Sequence, residues 1–173
     1  MSIIACRVTP EKIYLAADTQ LTRGQDKRWG LKYKKMRKVA GLVICSVGTC
    51  SESDLFCKYI EENEFPYCKK DIPIFMADFY AYKEDFHEKM KTKDDEDISD
   101  CTFLIVFKNN VYQVADLFVA KVKDFIAIGS GECYAIGAME MGASVQEAVG
   151  VTCKYVCACG LPVQYMEIER KAK

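Results

Sequence analysis

A length of 173 residues is enough for one domain with a complete hydrophobic core, and no candidate boundary divides the chain. The 24 basic and 25 acidic residues give a formal net charge of −1, so composition gives no reason to expect a nucleic acid or an anionic membrane as partner. No apolar run approaches the roughly 18 to 20 residues that span a bilayer, and residues 1–10 lack the features of a secretory signal, so we expect a cytoplasmic protein.

The first fifty residues are predicted to form strands joined by turns and one longer loop. The predicted strands cover residues 2–8, 13–18, 31–39 and 42–48. Pro10 occupies the second position of the turn TPEK, and a polar loop at 23–30 separates this hairpin from the next pair of strands. The second strand reads IYLAAD, so the Asp18 carboxylate follows an almost entirely apolar run. A carboxylate there is costly to bury unless a charge or a hydrogen-bond donor lies nearby.

Two helices are predicted to follow, because apolar side chains recur at helical spacing in residues 51–64 and 73–92. Ser51 is the candidate N-cap of the first helix, and Pro73 lies in the first turn of the second. The acidic segment at 93–100 is interpreted as a solvated connector.

The second half of the chain repeats the order of strands followed by helices. Strands are predicted at 102–108, 111–116, 117–122, 125–129 and 162–170, and helices at 131–142 and 144–160. Asn109 and Asn110 form a turn signal between the first two of these strands. Ser144 and Glu147 form a capping box at the start of the last helix, and Gly160 is predicted to end it.

This order of elements predicts the fold class. Two antiparallel sheets packed face to face, with a pair of helices covering each outer side, satisfy it. Strands in such an arrangement are buried on both faces, which explains the apolar runs at 13–17 and 102–107. We therefore predict an α+β fold, a four-layer αββα sandwich formed by residues 1–173 as a single domain.

Ten cysteines lie mostly within apolar segments, where cysteine acts as a small hydrophobe, and we expect them to be reduced. Cys153 and Cys157 are four residues apart, so they would share a helix face and could be considered as metal ligands. The chain has no CxxC pair, however, and its one histidine, His87, lies in a different segment. We therefore expect the cysteines to be packing residues, with no metal ion and no cofactor.

Four segments carry a resemblance to a known family. They are LAADTQLTRG (15–24), KKMRKV (34–39), VGTCSESDLF (47–56) and IGSGECYAIGA (128–138). In this order and spacing they resemble the proteasome β-type family of N-terminal nucleophile hydrolases, which includes the HslV-type peptidases. The resemblance covers nearly the whole chain and implies a threonine-peptidase-like endopeptidase in which the first residue attacks the peptide bond and its own α-amine acts as base, directly or through water.

The resemblance implies a set of site residues. The family's N-terminal threonine falls on Ser2, which would become the first residue after removal of Met1. Asp18 would hold a lysine, whose charge lowers the pKa of the amine. Gly48 falls on the glycine whose backbone N–H stabilises the oxyanion, and Ser130 falls on a serine that forms a hydrogen bond near the amine.

Two adjacent residues compete for the position of the lysine. Lys35 fits the family's pattern together with Tyr33, Met36 and Val39, provided that the preceding loop holds one extra residue. Without that insertion the lysine would be Lys34. Neighbouring residues of a strand point to opposite faces, so only one of the two lysines can serve.

Partners and an alternative function follow from the same resemblance. It implies a ring of identical subunits that cleaves peptides or unfolded proteins in an internal chamber, and we expect the ring to be a hexamer or a heptamer. An ATP-dependent unfoldase would be a separate chain, since the sequence has no GxxxxGK[ST] motif. Many members carry an aspartate where residues 153–162 contain no carboxylate. The alternative is therefore a catalytically silent subunit with a structural, assembly or binding role.

Overall fold

Two antiparallel sheets lie face to face, and each carries two helices on its outer side. This arrangement is seen in a computed structural model, which describes residues 2–23, 26–27, 33–90 and 101–170. It confirms the predicted α+β sandwich of two antiparallel sheets between helix pairs.

Strands and helices alternate in five groups along the chain: strands, two helices, strands, two helices and a last strand. The strands are β1 (Ile3–Val8), β2 (Lys12–Ala17), β3 (Thr22–Arg23), β4 (Asp26–Lys27), β5 (Met36–Val39), β6 (Leu42–Val47), β7 (Thr102–Phe107), β8 (Asn110–Ala115), β9 (Phe118–Lys121), β10 (Phe125–Gly129) and β11 (Gln164–Glu169). The helices are α1 (Cys50–Glu62), α2 (Ile72–Met90), α3 (Glu132–Glu140) and α4 (Val145–Tyr155), with a 3-10 turn at Lys69–Asp71. The first sheet has the strand order β10-β1-β2-β11, the second has the order β5-β6-β7-β8-β9, and β3 pairs with β4.

The space between the two sheets is filled by aliphatic and cysteine side chains. Ile4, Cys6 and Leu15 of the first sheet pack there with Cys45 and Leu104 of the second. All six residues of β6 are buried, which agrees with a strand covered on both faces. The apolar runs in the sequence therefore have the predicted cause.

The two outer faces differ in the size of their side chains. The helices α1 and α2 cover the second sheet through aromatic rings, and Phe56 packs edge-on against Phe79 with a centroid distance of 4.8 Å. The helices α3 and α4 cover the first sheet through small side chains such as Ala16, Ala127 and Ala148. Small residues allow α3 and α4 to approach the sheet closely.

Two predicted helix ends are wrong, and tertiary contacts explain one of them. The first helix begins at Cys50 with Thr49 as N-cap, so Ser51 is not the cap. The last helix begins with the predicted Ser144 capping box but ends at Tyr155, five residues before Gly160. The segment after it turns towards the end of β2, where the Gly160 N–H donates to the Asp18 carboxylate.

Smaller differences concern turns and short strands. The turn between β7 and β8 is centred on Lys108 and Asn109, both with positive φ, one residue earlier than predicted. Within the predicted strand 31–39, only Met36–Val39 is a described strand. The predicted connector at 93–100 lies outside the described residues. None of the helices in the described ranges has the length and apolar character required to cross a bilayer.

Candidate active site

The Asp18 carboxylate lies at the end of β2 and is fully buried. Its Oδ1 accepts hydrogen bonds from the Ile3 N–H at 3.0 Å and from Lys35 Nζ at 2.6 Å. Its Oδ2 accepts from the backbone N–H groups of Gln20 and Gly160, each at 3.1 Å. A carboxylate with one cation and three backbone donors is compensated for the loss of water. The Asp18 carboxylate at the end of the apolar run therefore has the hydrogen-bond partners that its burial requires.

Lys35 supplies the cation of this site, and its backbone is held on both sides. The side chain is 3% exposed. Its N–H donates to Gln164 Oε1 at 3.0 Å, and its carbonyl oxygen accepts from the Ser46 N–H at 3.0 Å. Lys34 is exposed, so of the two candidate lysines it is Lys35 that contacts Asp18.

Ser2 is buried directly before β1, and its carbonyl group lies against the end of β10. Ser130 Oγ donates a hydrogen bond to the Ser2 carbonyl oxygen at 3.3 Å. A Cβ atom on Gly129 would lie 2.2 Å from the same oxygen, and the φ of Gly129 is +106°. Only glycine fits there, so the Gly129–Ser130 turn is shaped around the main chain of Ser2.

Gly48 directly follows β6 and precedes Thr49, the N-cap of α1. Its φ is +127°, and a Cβ atom there would lie 2.6 Å from Cys101 Sγ and 2.9 Å from Cys101 Cα. A side chain at this position would therefore collide with the start of the neighbouring strand β7. The glycine allows the chain to pass close to Cys101 and to continue along the rim of a pocket.

A small pocket brings three of the predicted site residues together. Its cavity volume is about 40 Å³, and among the described residues it is lined by Ser2, Gln20, Leu21, Thr22, Tyr33, Lys35, Ser46, Gly48, Thr49, Cys50 and Ser53. Asp18 contacts this pocket's lysine, and Ser130 contacts the carbonyl of Ser2. A hydroxyl, a buried ammonium and a glycine backbone thus share one cavity, which is a set of groups suited to nucleophilic attack on a carbonyl.

A second polar cluster on the pocket wall was not predicted from the sequence. Arg37 donates to Asp54 Oδ1 at 2.5 Å, to Ser53 Oγ and to the Tyr33 hydroxyl. Ser53 Oγ lies 2.5 Å from Ser46 Oγ. The alternation of the four-residue strand β5 was the available signal, because it points Arg37 away from the buried Met36 and towards α1.

Two ionisable groups of the pocket have pKa values shifted by burial. Burial raises the pKa of the Tyr33 hydroxyl above its ordinary value, so Tyr33 remains a hydrogen-bond donor at neutral pH. Burial also raises the pKa of the Cys50 thiol, while the Tyr33 hydroxyl and the Lys35 ammonium act in the opposite direction. The Cys50 thiol is therefore largely protonated at neutral pH and lies close to both groups.

The ten cysteines are free thiols. Burial raises the pKa of Cys6, Cys101 and Cys153 to about 12, and that of Cys159 to about 11. Thiols of this kind seldom reach the thiolate state that binds metal ions. The described ranges contain no group of three or more His, Cys, Asp or Glu side chains placed to hold a metal ion.

Comparison with family models gives no match, and no curated protein matches the chain. Solved structures do match. The chain is similar to Thiobacillus denitrificans BPH, solved in complex with epoxomicin, with a TM-score of 0.79 and 20% identity over 98% of this chain and 100% of that one.

Two further structures extend the likeness. HslV from Trypanosoma brucei gives a TM-score of 0.67 with 15% identity, over 96% of this chain and 99% of that one. Anbu, an ancestral β-subunit from Yersinia bercovieri, gives 0.71 with 12% identity, over 95% of this chain and 80% of that one. At these identities the likeness establishes a shared fold. The chain has the proteasome-like, HslV-like form of the N-terminal nucleophile hydrolase fold.

Proposed function

We propose that the chain is a peptide hydrolase of the N-terminal nucleophile type, with Ser2 as nucleophile once Met1 has been removed. The observation that carries the proposal is the shared pocket of Ser2, Lys35 and Gly48, with Asp18 fixed behind the lysine. The ion pair is buried, and its carboxylate accepts three further hydrogen bonds from backbone N–H groups, so the lysine charge is held at a defined place in the pocket that Ser2 also lines.

The first half of the reaction forms an ester. The α-amine of Ser2 takes the proton of Ser2 Oγ, directly or through a water molecule, while Oγ forms a bond to the substrate's carbonyl carbon. The Gly48 N–H donates to the resulting oxyanion. The carbon–nitrogen bond then breaks, and the leaving amine receives the proton held by the α-amine.

The second half releases the acid. Water attacks the ester carbon and gives its proton to the same α-amine, and the bond to Ser2 Oγ breaks as Oγ regains a proton. Lys35 keeps the α-amine neutral between these steps, because two adjacent positive charges repel each other. Asp18 keeps the Lys35 ammonium charged and in place.

Assembly is part of the proposal. We propose a ring of identical subunits that encloses the active sites and receives peptides or unfolded protein, with a separate ATP-dependent unfoldase as partner. Met141, Tyr155 and Leu161 are large apolar side chains that are mostly exposed in the single chain, which supports burial against other subunits. Sedimentation at micromolar concentration should give a mass several times the 19.6 kDa of one chain, and a monomer alone contradicts the ring.

Two measurements test the nucleophile: the intact mass, which shows whether Met1 is removed, and the hydrolysis of short peptides by variants at Ser2. Intact-mass measurement should show loss of Met1, and Ser2→Ala should abolish hydrolysis of short peptides. Ser2→Thr should retain or raise activity, because the added methyl group restricts the hydroxyl's rotamer. An uncleavable N-terminal extension should be as damaging as Ser2→Ala, since it converts the amine into an amide.

The lysine has a matched control in its neighbour. Lys35→Met should lower kcat by at least about 100-fold, the range of a general-base contribution, and Lys34→Met should have little effect.

Hydrolysis that survives both Ser2→Ala and a blocked N-terminus contradicts the mechanism. A verified Met1-free oligomer that cleaves no peptide, with and without an unfoldase, favours the silent subunit. Epoxomicin, bound in the Thiobacillus structure, serves as a binding probe measured by thermal shift.

A further inference from the structure

We infer that Gln20 is a positioning residue: it holds the segment between α4 and β11 against Asp18, and so keeps the Lys35 ammonium in its place. The inference rests on the proposed function, because it concerns the same reaction. The segment consists of residues 157–162, and hydrogen bonds join it to residues 18–20 at the end of β2.

The middle of the 157–162 segment contacts Asp18 itself. The Gly160 N–H donates to Asp18 Oδ2 at 3.1 Å, and the Gly160 carbonyl oxygen accepts from the Thr19 N–H at 3.1 Å. Asp18 Oδ1 is the oxygen that accepts from Lys35 Nζ at 2.6 Å. The hydrogen bonds to Oδ2 set the rotation of the carboxylate, and this rotation sets where Oδ1 and the lysine ammonium lie.

The Gln20 residue ties the carboxylate to the segment through two different groups. Its N–H donates to Asp18 Oδ2 at 3.1 Å, and its side-chain Nε2 donates to the Cys157 carbonyl oxygen at 2.9 Å. The side-chain contact lies at the surface of the chain, where its loss leaves the buried sheets intact. Losing it should therefore loosen the segment around Gly160 without unfolding the domain.

Gly160 packs directly on the Gln20 side chain. A Cβ atom at position 160 would lie 2.4 Å from Gln20 Oε1, 3.2 Å from Gln20 Cβ and 3.3 Å from Gln20 Cδ. The three atoms nearest to such a Cβ thus all belong to Gln20. A side chain at position 160 would push the Gln20 amide away from the Cys157 carbonyl oxygen. Gly160→Ala is therefore a second, independent way to break the same contact.

Hydrogen exchange tests the contact without catalysis. Gln20→Met keeps the length of the side chain and removes its donor, so the Gly160 N–H should exchange at least about threefold faster, as expected for the loss of one hydrogen bond. The Val122 N–H, which donates to the Val111 carbonyl oxygen at 2.9 Å in another part of the chain, is the internal reference and should not change. Gln146→Met on the exposed side of α4 is the matched control.

Kinetics test whether the contact reaches Lys35. Gln20→Met should lower kcat for short peptides at least about threefold, with a change in KM of less than about twofold, because the ammonium is misplaced while the contacts with the substrate remain. Gln146→Met should keep the native kcat. A residue that only stabilised the fold would not lower kcat in this selective way.

A double variant tests whether Gln20 and Gly160 act through one contact. In the native chain, Gly160→Ala should lower the protection of the residue-160 N–H and lower kcat, as Gln20→Met does. In the Gln20→Ala background the Oε1 and Cδ atoms are absent, so adding Gly160→Ala should change kcat by less than about a further twofold. Fully additive losses contradict the shared contact.

The outcomes separate this inference from the proposed function. Faster exchange of the Gly160 N–H together with a lower kcat in Gln20→Met supports the inference. Unchanged exchange overturns it, whether or not the native chain cleaves peptides. Faster exchange with the native kcat overturns the positioning role, because the contact then does not reach the reaction. Faster exchange in a chain that cleaves no peptide supports the contact and rejects the proposed hydrolase.

Discussion

Two ion pairs border the same pocket and differ mainly in their exposure to water. Lys35 and Asp18 are 3% and 0% exposed, whereas Arg37 and Asp54 are 23% and 57% exposed. Both cations belong to the short segment around the start of β5, two residues apart. The first pair faces the first sheet, and the second pair faces the beginning of α1.

The difference in exposure predicts different contributions of the two ion pairs to stability. A buried pair is expensive to break, because the remaining charge stays in the interior without a partner. An exposed pair contributes about 0–1 kcal/mol, since water and salt screen it. We infer that Lys35 and Asp18 combine stability with chemistry, while Arg37 and Asp54 shape the pocket wall at little cost when they are changed. Three substitutions test this comparison.

The largest effect is expected at Asp18. Asp18→Ala removes the cation's partner and leaves three backbone N–H groups without their acceptor, so unfolding free energy should fall by about 3–5 kcal/mol, with hydrolysis lost. Urea denaturation measures the change. In the Asp18→Ala/Lys35→Met double variant the loss should be smaller than the sum of the two single losses, because no unpaired charge remains. Additive losses would show that the two side chains are not coupled.

An intermediate effect is expected at Gln164. Gln164→Leu removes the acceptor of the Lys35 N–H, which should cost about 1–3 kcal/mol and misplace the ammonium. The Gln164→Leu variant should show a drop in kcat that exceeds the change in KM. Gln164→Glu keeps an acceptor oxygen, so it should retain more activity than Gln164→Leu. Gln146→Leu on the exposed side of α4 is the control. Equal kcat in Gln164→Leu and the native chain would remove Gln164 from the positioning of Lys35.

The smallest effect on stability is expected at Asp54. Asp54→Asn should change the unfolding free energy by less than about 1 kcal/mol, with the difference disappearing at high salt. It leaves the Arg37 charge uncompensated near the pocket, so hydrolysis of a peptide with aspartate before the cleaved bond should rise relative to that of a peptide with alanine there. A stability loss as large as that of Asp18→Ala would mean that exposure does not distinguish the two pairs.

The sequence carried enough information for the layers of the fold but not for the limits of each element. Apolar runs such as IYLAA and TFLIVF predict strands that are covered on both faces, and the Ser144 capping box predicts the start of α4. The end of α4 was not predictable, because the hydrogen bond from Gly160 to Asp18 joins residues 142 positions apart. Local propensity contains no information about such a contact.

The candidate site shows the same division. Asp18 was recognisable as a carboxylate that needed a partner, since its cost of burial follows from the residues around it. The cluster of Arg37 with Ser53 and Ser46 was not recognisable, because it forms only when the second sheet and α1 meet. Arginine and serine are common on protein surfaces, so their positions in the sequence do not indicate that they contact each other.

The position of Asp18 also determines when the site can be completed during synthesis. Its hydrogen-bond donors come from residues 3, 20, 35 and 160, and its strand β2 lies between β1 and the much later β11. While the ribosome is still adding residues before 160, the carboxylate lacks one donor and β2 lacks a neighbour. Closing contacts over such long sequence separations is slow. We therefore expect the hydrogen bonds around Asp18 to be complete, and the proposed hydrolase to act, only after β11 has been made.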